Sequence, residues 1–173
     1  MKLVVPNMEQ KSQFMDFYYD LADHDPDNAD YYSQARDSFS RYLKSLLDEE
    51  QGKSLKPQHV PCSHRWLTDD AGKILGVIRI RHNIEPKILR DYCGHIGYDI
   101  APSYRNRGFG KKMLALALDV AKEHQLTQVL ISADEDNLAS RKVIEANGGI
   151  LDKVVYSTEF QSYIARYWIT INR

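Results

Sequence analysis

Gly94-His95-Ile96-Gly97-Tyr98-Asp99-Ile100-Ala101-Pro102-Ser103-Tyr104-Arg105-Asn106-Arg107-Gly108-Phe109-Gly110 is the stretch on which the fold turns. His95 to Ile100 reads as a strand, stopped by Ala101-Pro102 because proline has no N–H to give a ladder. Gly110 to His124 reads as the clearest helix in the chain. Leu114, Ala117, Leu118 and Ala121 form one stripe, and Met113, Leu116 and Val120 widen it. A helix apolar over so much of its circumference lies buried against a sheet. Between the two, Arg105 to Gly110 joins a strand end to a helix start. Glycine lets the backbone approach a ligand closely. The first N–H groups of a helix lack intrahelical partners and carry the positive end of its dipole. This combination suits a diphosphate, and Arg105, Arg107, Lys111 and Lys112 add cationic charge. The plainer alternative is a strand–helix turn with solvated basic residues, since short glycine patterns recur by chance.

Upstream, Lys2 to Val5 is a short apolar run ended by Pro6. Phe14, Met15, Phe17, Tyr18 and Leu21 recur at helical spacing between Met8 and His24. Asp25-Pro26-Asp27-Asn28 is a turn signal. Phe39, Tyr42, Leu43, Leu46 and Leu47 stripe a second helix that ends near Gly52. Val60 to Leu67 and Lys73 to Arg81 read as strands joined by the hairpin loop 68–72. Residues 83–91, containing Pro86, form a connection. Downstream, Val129 to Ala133 is a buried strand, and Asn137 to Ala146 is a helix stopped by Asn147-Gly148-Gly149. Ile150 to Ser157 and Phe160 to Ile171 are closing strands. The order β-α-α-β-β-β-α-β-α-β-β is neither strict alternation nor all-β. It implies an α/β fold built on a mixed sheet with helices on both faces, in one domain spanning 1–173.

At 173 residues the chain is long enough to bury a core without staples. A net charge of -1 supplies no general attraction to nucleic acid or anionic membrane. No leader-like segment opens the chain and no apolar run is long enough to span a bilayer, so a cytoplasmic protein is expected. Cys62 and Cys93 read as free thiols. The six histidines show no metal-ligand spacing, so no metal is expected.

The segment 94–110 resembles the central strand and R/Q-x-x-G-x-G/A pyrophosphate loop of the GNAT acyltransferase superfamily. Asp136-Asn137-Leu138-Ala139-Ser140, opening a helix that ends in Gly148-Gly149, resembles that family's second cofactor motif. Arg81-His82 with Gly94-His95-Ile96-Gly97-Tyr98 also looks like a bacterial subgroup of it. The resemblance implies an N-acetyltransferase that moves an acetyl group from acetyl-CoA to a primary amine by direct attack. The amine would belong to a small molecule or peptide; the enzyme would need no metal, and a homodimer is compatible with it. It implies that backbone around Ile100 binds the pantetheine arm. Arg105, Asn106, Arg107, Gly108, Phe109, Gly110 and Lys111 would cradle the pyrophosphate. Asn137 would reach the pantetheine or the neighbouring strand, and Ser140 the phosphates. Asn137 is equally suited to a plain helix N-cap, and the two roles are compatible.

Transfer to an amine calls for a proton acceptor, a donor where charge develops, and help for the leaving thiolate. His95, on the central strand and titrating near neutrality, is the first choice of base. A histidine packed into the strand by hydrogen bonds is the alternative, and Asp99, of the same strand parity, is the fallback. The family's usual tyrosine acid falls on Ile144, which has no proton to give. Tyr98, Tyr104, Tyr163 and Tyr167 remain, unranked. That gap also keeps a non-catalytic acyl-CoA-binding sensor in view. The first two helices carry Asp16, Asp20, Asp23, Asp25, Asp27, Asp30, Asp37, Asp48, Glu49 and Glu50. They form either an acidic groove for a cationic acceptor or a solvated face.

Overall fold

The computed structural model describes residues 1–171. Strand β1 (Lys2–Val4) is followed by a 3-10 turn, capped by the Asn7 side chain accepting from the Glu9 N–H at 3.0 Å. Helix α1 (Lys11–His24) continues from it. The turn expected at 25–28 is instead a four-residue helix, α2 (Pro26–Ala29). Pro26 stands at its first position, where the fixed φ suits a helix and the missing N–H costs nothing. Helices α3 (Ser33–Asp37) and α4 (Phe39–Glu50) follow, with Ser38 Oγ accepting from the Arg41 N–H to cap the second. Phe14, fully buried, sits at the centre of this half, stacked on Trp66 with ring centroids 4.6 Å apart. Phe17, Tyr32, Phe39 and Tyr42 surround it.

The remaining elements are β2 (Cys62–Thr68), β3 (Ile74–Arg81), β4 (Ile96–Ile100), α5 (Phe109–Glu123), β5 (Gln128–Asp134), α6 (Leu138–Glu145), β6 (Ile150–Ser157) and β7 (Ser162–Thr170). The strands form one seven-stranded sheet in the order β1-β2-β3-β4-β5-β7-β6. Apart from the two extra short helices, this is the mixed sheet expected from the sequence. Trp66 and Val77 bury one face of it under α1 and α4. Leu67, Ile78, Ile96 and Ile131 bury the other under α5 and α6, with Met113, Leu114 and Ile144.

Neighbouring strands are antiparallel except β4 and β5. That parallel pair meets at a single register position, Ile96 with Ile131, whereas β5 and β7 pair along the whole of Gln128 to Asp134. Beyond Ile96 the two parallel strands part. The junction is made by backbone outside the regular strand. After a π-helical turn at Leu89–Cys93, Gly94 takes φ +68°, and the His95 N–H donates to the Leu130 carbonyl at 2.7 Å. A Cβ on Gly94 would collide with that same carbonyl.

Gly94→Ala is therefore expected to destabilise the chain through both the left-handed backbone and the collision, the latter alone worth about 1–3 kcal/mol. Gly72→Ala, with φ +81° but nothing within 4 Å of the new methyl, is expected to lose only the backbone contribution of about 1–2 kcal/mol. Urea titration of both variants checks this; equal midpoints would contradict the account of the junction.

Candidate active site

The gap between β4 and β5 opens toward the start of α5, and its two walls differ in chemistry. Odd positions of β4 carry the ladder to β3. The Arg81 N–H donates to His95 O at 2.8 Å at one end, and the Ala101 N–H to Leu75 O at 3.0 Å at the other. Alternation turns the Tyr98 and Ile100 backbone groups away from β3, into the gap. The Ile100 carbonyl accepts from Arg105 Nε at 3.0 Å.

Where the gap meets α5, Asn106 and Gly108 both have positive φ, +59° and +80°. Gly108 caps the helix, and the first bond within it runs from the Lys112 N–H to Gly108 O at 3.1 Å. The N–H groups of Phe109, Gly110 and Lys111 precede that bond. A side chain at Gly108 would stand in open space in front of them. Gly110 serves packing instead, since a Cβ there would press on Val143 at 3.2 Å. The Arg107 guanidinium lies 5.2 Å from the Phe109 ring and 5.6 Å from that of Tyr104. Arg105 points the other way and pairs with Asp25, which also accepts from Asn28 at 3.0 Å. Asp20 accepts from the Ser103 N–H at 3.0 Å and hydroxyl at 2.9 Å. Two of the acidic residues read as a groove thus clamp the loop to α1 and α2.

Asn137 is the N-cap of α6 and accepts from the Ser140 N–H at 3.0 Å. Ser140 offers its carbonyl to the Tyr98 hydroxyl at 3.3 Å, across the gap. Burial pushes the Tyr98 phenol up to about 12, so it stays protonated. Of the other tyrosines, Tyr167 is fixed on α6 by Arg141 Nε at 2.8 Å and Glu145 at 2.9 Å. Tyr163 stands exposed against Tyr156. Ile144 is fully buried in the core.

His95 corrects the first choice of base. The residue is 6% exposed, and its Nδ1 accepts from the Leu130 N–H at 2.9 Å. That bond places the ring proton on Nε2 and spends the one lone pair a base would use. Burial drives the imidazole down to about 4, with Arg81 pushing the same way. His95 fastens β4 to β5 by its backbone and its ring together. Asp99, on the face under α1 to α4, accepts from the Tyr32 hydroxyl and lies 3.6 Å from Arg79 through the same Oδ2. A Cβ on Gly97 would stand 3.0 Å from Arg79 Nε, so the missing side chain lets that guanidinium lie along β4. This Asp99–Tyr32–Arg79 group was not legible in the sequence, because Tyr32 comes from a segment without strong periodicity.

The acetyltransferase (GNAT) family model matches residues 19–148, three quarters of the chain. The chain belongs to this family. No curated protein sequence matches it significantly. Among solved structures, the GNAT fold here resembles a ribosomal-protein-S5-alanine acetyltransferase from Vibrio fischeri at 13% identity and TM-score 0.71, covering 98% of this chain and 92% of that one. It also resembles a spermidine N-acetyltransferase SpeG chimera from Vibrio cholerae and hSSAT (15%, 0.66, 98% and 94%). A third is the microcin C7 self-immunity acetyltransferase MccE, solved with acetyl-CoA and AMP (13%, 0.72, 98% and 91%). Identities this low speak for the fold alone. Among the described residues no helix is long and apolar enough to cross a membrane. Among the described residues, Glu49, Cys62 and His64 form a group of metal-ligand type.

The buried neutral His95 has a consequence for stability. Unfolded, it takes up a proton near its ordinary 6.5; folded, only near 4. The stabilisation is complete above pH 6.5 and is lost as pH falls toward 4, at up to about 1.4 kcal/mol per pH unit. The difference in unfolding free energy between the parent and His95→Gln should shrink over that window, a comparison that cancels the similar behaviour of His82. A pH-independent difference would contradict the assigned tautomer.

Proposed function

We propose that this GNAT chain transfers an acetyl group from acetyl-CoA to a primary amine by direct attack, with both substrates bound at once. The observation that carries this is the parted β4–β5 pair running into a helix N-terminus with open space before Gly108. The Tyr98 backbone groups and the Ile100 N–H would give an extended pantetheine arm the partners that β5 does not supply, while the Ile100 carbonyl accepts from Arg105. The N–H groups of Phe109, Gly110 and Lys111 meet the pyrophosphate, with Arg107, Lys111 and Lys112 for charge. Arg105 shapes the loop from behind. Ser140 lies at the start of α6, beside the route of the arm.

For proton transfer we favour Asp99: Tyr32 and Arg79 hold its Oδ2, and its Oδ1 would take the proton of an incoming ammonium group, directly or through a relaying water. An ammonium group titrates near ~10.4, so the acceptor arrives charged and must lose a proton before attack. The tetrahedral intermediate then collapses and expels the coenzyme A thiolate. Tyr98, protonated and lying across the gap, is the hydroxyl best placed to protonate that sulfur. Two of the similar structures are named for acetylating an alanine of ribosomal protein S5 and spermidine, and an amine acceptor suits both names. Because Asp20 and Asp25 are spent inside the fold, an overall acidic groove is a weaker guide to the acceptor.

A panel of polyamines, aminoglycosides and peptide N-termini, assayed by release of free thiol, tests the activity. Asp99→Asn is expected to lower kcat by ~100- to 10,000-fold with coenzyme A affinity nearly unchanged. His95→Gln should lose stability and keep a near-parental kcat. A near-parental kcat in Asp99→Asn would remove Asp99 from the chemistry. A parent that binds acetyl-CoA and acetylates nothing would favour an acyl-CoA sensor.

A further inference from the structure

Away from the cleft, three unlike donor groups converge at the open edge of β2. Cys62 and His64 are two residues apart on a strand and so share a face. The last turn of α4 lays Glu49 across them. The Cys62 sulfur, a His64 ring nitrogen and a Glu49 carboxylate oxygen all lie within 4.8 Å of one another. His64 Nε2 is 2.6 Å from Glu49 Oε2, and His59 Nδ1 is 2.7 Å from Glu49 Oε1. We propose that Cys62, His64 and Glu49 form a binding site for a divalent transition-metal ion of the zinc class, with His59 orienting Glu49 through its second oxygen.

The donor set selects the ion. A thiolate and an imidazole are poor partners for magnesium or calcium, which take oxygen. One sulfur, one nitrogen and one carboxylate oxygen suit zinc or cobalt in a tetrahedral site whose fourth position is open to water. Ligands at ~2.0–2.3 Å from zinc stand roughly 3.3–3.8 Å apart. The His64–Glu49 contact therefore opens by roughly 1 Å to admit the ion, and the sulfur closes in. These are side-chain adjustments on elements that already face each other.

Burial and approach are compatible with this. Cys62 is 4% exposed, so a thiolate there is shielded from solvent and from oxidants. The His64 and Glu49 side chains are 16% and 21% exposed and His59 is half-exposed, which leaves a way in from the 51–61 loop. Burial pushes the free Cys62 thiol up to about 12, with Arg81 pulling against it. Binding thus displaces the thiol proton to solvent, one per ion, while the imidazole proton moves through water from Nε2 to Nδ1. Affinity falls as pH is lowered. Hydrogen bonding alone accounts for Glu49 lying between two histidines. It gives no part to the buried thiol that completes the group.

The bound ion would fasten the end of α4 to β2. His64 is the cross-strand neighbour of Arg79, the residue beside Asp99. The proposal is nevertheless independent of acyl transfer, and its test reads no activity.

Tag-free full-length protein, stripped with chelator and kept under a phosphine reductant, is titrated with Co2+. One equivalent per chain is expected to produce a thiolate-to-cobalt charge-transfer band in the near ultraviolet. The intense visible bands of four-coordinate cobalt should rise with it, and Zn2+ should abolish both. Cys62→Ser should lose the charge-transfer band, and Cys93→Ser should keep it. Glu49→Gln should weaken Co2+ binding at least ~10-fold, and His59→Ala by ~10- to 100-fold. No charge-transfer band in the parent would overturn the site. So would a band that survives in Cys62→Ser or disappears in Cys93→Ser, or parental affinity in Glu49→Gln. If Cys62→Ser fails to fold by circular dichroism, the Glu49→Gln and Cys93→Ser arms decide alone.

Discussion

The proposed site depends on two parallel strands that touch once and then separate. The contact of β4 with β5 is made by Ile96 and Ile131 and reinforced one residue earlier, where both the backbone and the ring of His95 bond to Leu130. Parallel strands usually continue their ladder. Here the ladder stops at Ile96, although β4 runs on to Ile100 before turning at Ala101-Pro102, while β5 stays paired with β7 on its other side. Unpaired backbone groups inside a protein are costly and call for partners. On the proposed reading, a ligand lying along β4 like a strand would supply them, and the same line leads to the N–H groups that open α5. The geometry that leaves the sheet incomplete is therefore also what the proposed site rests on.

Charge placement keeps this opening in shape. Burial works against the Asp25 carboxyl, yet Asn28 and Arg105 together hold it below the usual carboxylate range. With Asp20 on Ser103, that pair ties the glycine loop to the helices on the far side of the sheet. Exposed ion pairs contribute little by themselves. These are partly buried and join segments distant in sequence, so they fix the position of the loop more than they stabilise the fold. On the other face, Asp99, Tyr32 and Arg79 form a compact polar group beneath α1 to α4, where Tyr32 is held protonated chiefly by burial.

The fold was legible wherever a local pattern was reinforced by a long element. The wide stripe of α5, the hairpin at 68–72 and the Gly148-Gly149 stop follow from spacing and turn chemistry. The helices α2 and α3 were missed because Asp-Pro-Asp-Asn reads as a turn, although proline equally favours a first helical position. The strand–loop–helix joint at 101–110 was legible too, but not the direction of Arg105, which depends on Asp25, 80 residues away. His95 shows the limit most clearly. Its position on the central strand suggested a base; whether its lone pair was free depended on the Leu130 N–H, which no sequence periodicity reveals. The grouping of Glu49, Cys62 and His64 was invisible for a similar reason. Ligand spacing along one element shows two of its members, and the third arrives from a helix.

The central claim is that the parted strands and the α5 N-terminus together form one ligand site. It is tested most directly by mapping backbone amide shifts in 15N-labelled protein during titration with coenzyme A. The account expects the largest changes at Tyr98, Ile100 and Arg107 to Lys111, with further changes at Ser140 and little at Cys62 to Thr68. Changes confined to other surfaces, or the same pattern with equal affinity in Gly108→Glu, would contradict it.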